Sequence, residues 1–124
     1  MEPVMLLPPA AFITGILANE GEIVMQTDTI RHMAIFTLKH REGSPEIEHF
    51  LQDGEKILSA IPVVKRFEVL RQVSTKCEFD YGFSMEFENQ EAYDAYNAHP
   101  DHQRFVQERW ETEVVSFQEI DLMK

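Results

Sequence analysis

An α+β fold of order β-α-β-β-α-β is what this 124-residue chain predicts. Three observations predict it. Four segments are rich in β-branched and aromatic residues of the kind that line pleated strands. Two segments between them carry apolar or aromatic residues at helical spacing. Proline, serine and asparagine stand where helices should begin or break.

Residues 29–40, TIRHMAIFTLKH, form the first expected strand. Ile30, His32, Ala34, Phe36 and Leu38 share one face, and Met33 and Ile35 lie on the other. Both faces are largely apolar, so this strand should be covered on two sides. Ser44 then offers an N-cap and Pro45 a first helical residue. Glu46 and Glu48 suit the positive end of the helix dipole. Ile47, Phe50, Leu51, Ile57, Leu58 and Ile61 make a stripe of helical period, Gly54 on that stripe permits close packing on a sheet, and Pro62 stops the helix. Residues 63–73 form a second strand. Residues 78–88 form a third, with Phe79, Tyr81, Phe83, Met85 and Phe87 pointing one way. Asn89 caps a second helix, which Pro100 breaks at His99. Pro100 opens a further helical stretch to residue 113, whose inner face holds His102, Phe105, Val106, Arg109 and Trp110. Residues 114–122 form the fourth strand. This is the ferredoxin-like split pattern, a four-stranded antiparallel sheet with its helices on one face.

Composition narrows the function. The net charge of −11 repels nucleic-acid phosphate and anionic membrane surfaces alike, so neither partner is expected. Cys77 is the only cysteine, which rules out an intrachain disulfide and fits a reducing, cytoplasmic setting. The apolar stretch 5–17 lacks a basic leading segment and is interrupted by Pro8 and Pro9, so it reads as a short docking helix over residues 9–19 and not as a signal peptide. Residues 18–28 read as a linker. The chain thus divides into an extension, residues 1–28, and a compact domain, residues 29–124.

Four stretches carry a family resemblance: IRHMAIFTLK, ILSAIPVVKRFEV, DYGFSMEFENQEAYDAYNAHPDHQRFV and VVSFQEIDL. Together they resemble the dimeric α/β-barrel domain family, also called the stress-responsive A/B barrel or Dabb family. The Y-x-x-H-P-x-H-x-x-F pattern at residues 96–105 is its most specific part, while Val63 stands where many relatives carry glycine. The resemblance implies a homodimer whose two sheets form one barrel. It also implies links to stress stability, and a cofactor-free cyclase among the relatives. In that cyclase the chemistry falls on the positions matched here by His102 and Tyr96, with the position of His32 lining the pocket. Monooxygenases of the antibiotic-biosynthesis type share the barrel layout.

Read on their own, the same residues allow two roles. A histidine can exchange a proton near neutral pH, a tyrosine hydroxyl can hold its ring, and an apolar pocket can hold a small apolar or aromatic ligand. On this reading His102 and Tyr96 are candidate catalytic residues, and His32, His99, Phe105 and Trp110 are candidate ligand contacts. Alternatively His99 caps the broken helix and the tyrosines fill the core. No metal is expected, because Pro100 disturbs the His99-x-x-His102 spacing. No glycine-rich phosphate loop is present, so no nucleotide cofactor is implied. His40 and His49 look like surface positions. The primary expectation is a small-molecule-binding homodimer, and the second is a cofactor-free enzyme using His102 as general acid and base.

Overall fold

A computed structural model describes residues 26–124. The expected helix at residues 9–19 and most of the linker lie outside the described residues. The elements are β1 (Ile30–Leu38), α1 (Pro45–Ser59), β2 (Lys65–Arg71), β3 (Tyr81–Phe87), α2 (Gln90–Ala98), α3 (Pro100–Phe105), a π-helical turn (Val106–Trp110), α4 (Glu111–Glu113) and β4 (Val114–Leu122). Their order is the one expected. The four strands form one antiparallel sheet in the order β2-β3-β1-β4.

Strand alternation decides what faces what. Cross-strand partners on β1 and β3 include His32 with Met85, Ala34 with Phe83 and Phe36 with Tyr81. These side chains meet the apolar stripe of α1, where Ile47, Phe50, Leu51, Gly54 and Leu58 are buried. Phe36, Phe50, Phe83 and Phe87 are essentially inaccessible. Phe50 stacks parallel on Phe83 with ring centroids 6.1 Å apart, and Trp110 meets Phe36 edge-on at 4.9 Å.

Pro45 opens α1, and Ser44 has the extended backbone of an N-cap, yet its side chain makes no capping bond. Asn89 does cap α2, accepting from the Ala92 N–H at 2.9 Å. The second and third strands are shorter than expected, because their ends leave the ladder with β3 or β1.

The helix expected without interruption from residue 100 to 113 is instead divided by the π-helical turn. Phe105 and Trp110 explain this. Five residues are about 1.4 turns of an α-helix, which would send the two rings to different faces. Closure from i to i+5 returns Trp110 to the core side that Phe105 occupies. Arg109 is pinned beside it by Asp53 at 2.6 Å and Glu113 at 2.5 Å.

The other sheet face carries Met33 and Ile35 from β1, Leu70 from β2, and Ile120 and Leu122 from β4. Among the described residues no helix covers it. Glu86 lies on this face at 3% exposure, held by Arg31 and by Arg66 at 2.8 Å. Arg66 has φ +53° at the register shift of β2, a conformation that L-residues seldom adopt.

Candidate functional site

Between the sheet and the turn that follows α3 lies a cavity of about 330 Å³. Its floor is the helix-facing side of β1 and β3, contributed by Ala34, Phe83 and Met85. Leu58, Phe105, Val106 and Trp110 close the apolar end. Polar groups gather elsewhere on the wall: His32, Tyr96, Asn97, His102, Glu111 and Glu119. An apolar body with a few convergent polar groups is the usual form of a small-molecule site.

Each polar group is placed by a local sequence rule. Pro100 ends α2 at His99 and begins α3, folding the chain so that His102 returns over Tyr96. The two rings lie 4.3 Å apart between centroids. Tyr96 is buried, and its phenol is pushed well above the usual tyrosine range by burial first, with Tyr93 and Glu119 adding to it. His102 Nδ1 is buried without a hydrogen-bond partner. Burial holds the His102 imidazole below the ordinary histidine value of 6.5. A backbone hydrogen bond with Asn97 opposes this, and His32 and His99 act with burial. His102 is therefore neutral at pH 7.

His32 is held from the other side. Its Nδ1 lies 2.6 Å from Asp121 Oδ1, and a carboxylate can only accept, so Nδ1 carries the proton. The Tyr93 hydroxyl donates to Asp121 Oδ2 at 3.0 Å and sits 3.1 Å from the same histidine nitrogen. This bracing fixes the orientation of the His32 ring.

The cavity brings together five of the six expected site residues: His32, Tyr96, His102, Phe105 and Trp110. His99 is not on its wall. Its Nδ1 accepts from the Asp101 N–H at 3.1 Å, so the ring caps α3. His49 is exposed, as expected, but His40 is half-buried and donates to Glu113 at 2.7 Å. Sequence reading missed Asp121, Tyr93, Asn97, Glu111 and Glu119. The alternation of β4 puts Phe117, Glu119 and Asp121 on one side, but only the pairing of His32 with Asp121 across β1 and β4 shows which side that is. Among the described residues, no three His, Cys, Asp or Glu side chains converge as a metal site requires, and no helix is long and apolar enough to cross a membrane.

Residues 30–124 match the stress-responsive A/B barrel domain. The chain belongs to that family. A Dabb-family protein of ferredoxin-like fold from Mesorhizobium loti is 54% identical, with a TM-score of 0.77 over 77% of this chain and 96% of that one. A stress-response A/B barrel domain-containing protein of Arabidopsis thaliana is 32% identical over 65% of this chain and 74% of its own length. At the level of fold alone, the A/B barrel domain also resembles a dimeric ferredoxin-like protein of unknown function from Thermobifida fusca, at 18% identity and a TM-score of 0.67, covering 83% and 97% of the two chains.

Proposed function

We propose that this A/B barrel protein is a homodimer that binds a small, largely apolar or aromatic ligand in the cavity beneath α3. One observation carries the reading: a cavity of about 330 Å³ with an apolar floor and a few polar side chains, His102 and Tyr96 among them, in its wall. Trp110 is the only tryptophan in the chain and lines the cavity, so it reports on occupancy. Titration with the neutral fluorophore N-phenyl-1-naphthylamine should quench Trp110 saturably, with one site per chain. Ala34→Phe, which fills the floor, should abolish the signal and leave the fold intact. A linear, unsaturable response in the wild type would refute the reading.

Dimerisation is argued from the bare sheet face. Met33, Ile35, Leu70, Ile120 and Leu122 form a surface that a second sheet would bury. The Thermobifida fusca neighbour is a dimeric protein, which supports dimerisation. Sedimentation velocity at micromolar concentration should give a single dimeric species, and a stable monomer would refute this part.

A second reading, acid–base catalysis without a cofactor, is favoured by the neutral His102 ring against Tyr96. A neutral imidazole can take a proton from an acidic C–H, and the nearby phenol can donate to the developing oxyanion. The α-protons of phenylacetone in D2O provide the test. Wild type should accelerate their exchange and His102→Ala should not; equal rates would leave binding as the whole function.

A further inference from the structure

The polar part of the cavity wall has a consistent chemistry. Glu111 and Glu119 both line it, and among the described residues no lysine or arginine does. Arg109, next in sequence to the lining residue Trp110, is already bound by Asp53 and Glu113. His32 donates its Nδ1–H to Asp121. Carboxylates accept only, and a neutral imidazole keeps one acceptor nitrogen. The wall thus carries negative charge and no cation, beside the neutral polar groups of Tyr96, Asn97, His102 and Trp110. An incoming carboxylate or phosphate would meet like charge with no lysine or arginine on the wall to offset it. A hydroxyl or amine would find several acceptors.

We infer that the cavity selects ligands whose polar end donates hydrogen bonds, such as phenols and amines, and rejects carboxylic acids of the same shape. The inference rests on the ligand-binding reading above and names its substrate class. The apolar floor takes the ring or alkyl body, and Glu119 takes the donor. Electrostatic rejection by Glu111 and Glu119 supplies the discrimination, because an acid entering the cavity loses hydration while keeping its charge.

Three probes of matched size separate the possibilities: para-butylphenol, para-butylbenzoate and para-butylanisole. Each is titrated into the full chain at about pH 7, with Trp110 fluorescence and displacement of N-phenyl-1-naphthylamine as readouts. The phenol should bind at least tenfold more tightly than the benzoate, with the anisole between them. In Glu111→Gln/Glu119→Gln, benzoate binding should tighten at least threefold relative to the phenol. These glutamates are exposed at the rim, so the variant should keep its fold, checked by its far-UV spectrum and melting temperature. Benzoate binding equal to phenol binding in the wild type would overturn the selectivity while leaving the cavity a ligand site. An unchanged preference in the double variant would overturn the role of the two glutamates. Failure of all three probes to bind would overturn the ligand-binding reading itself.

Discussion

Gly54 on α1 is the position where fold and cavity are most tightly joined. A β-carbon built there would stand 2.5 Å from Phe83 Cζ, 2.8 Å from Phe83 Cε2 and 3.3 Å from Phe105 Cζ. Ordinary contact begins at 3.4 Å, so the tip of Phe83 must retreat by 3.4 − 2.5 = 0.9 Å in Gly54→Ala. Phe83 is 1% exposed and stacked on Phe50, so it cannot move toward α1. The cavity is the open direction, since both Phe83 and Phe105 line it. Overpacking of this kind costs about 1–3 kcal/mol. The better helix propensity of alanine returns about 1 kcal/mol. A net loss of roughly 1 kcal/mol is expected, together with a smaller cavity. Urea denaturation should show the loss as a lower midpoint with an unchanged slope. Titration with N-phenyl-1-naphthylamine should show affinity weakened several-fold. A variant that is more stable than the wild type and binds the probe equally well would refute the packing argument.

Other outcomes follow from the polar contacts. Asp121→Asn removes the charge that holds the proton on His32 Nδ1; because Asp121 is partly exposed, stability should change by less than about 1 kcal/mol, while para-butylphenol affinity measured by Trp110 quenching falls several-fold. Burial raises the Glu86 pKa, but hydrogen bonds from Arg31 and Arg66 outweigh it and hold the carboxyl below its ordinary 4.5. Its contribution is therefore complete above about pH 4.5 and lost as pH falls through the lower folded value. Glu86→Gln should cost about 1–2 kcal/mol near neutral pH and flatten this acid limb of urea stability, and an unchanged limb would refute it. His102 has the opposite assignment of charge: its folded pKa is lowered, so the native state disfavours the proton. Stability should fall as pH drops below 6.5 and level off below the folded value. His102→Phe should remove that slope in the same urea series.

Local sequence determined the elements. Ser44-Pro45, Asn89 and Pro100 mark helix starts that depend only on backbone chemistry near those residues. Alternation along residues 30–38 determined that His32 shares a face with Ala34 and Phe36, because successive strand side chains point to opposite sides. The pairing of His102 with Tyr96 was also legible, since both flank one proline break. Tertiary structure decided the rest. That His32 is braced by Asp121 and Tyr93 depends on the register between β1 and β4 and on where α2 lies over it, and residues 61 and 89 positions apart carry no local signal of meeting. That His99 caps α3 while His102 faces the cavity follows from the angle at which the chain leaves Pro100. The π-helical turn likewise answers a demand of the core: Phe105 and Trp110 must both reach it, and an α-helix with that spacing would not allow both. A cavity is what remains once these side chains have taken their places, so it belongs to the packing of distant segments and to no single stretch of the chain.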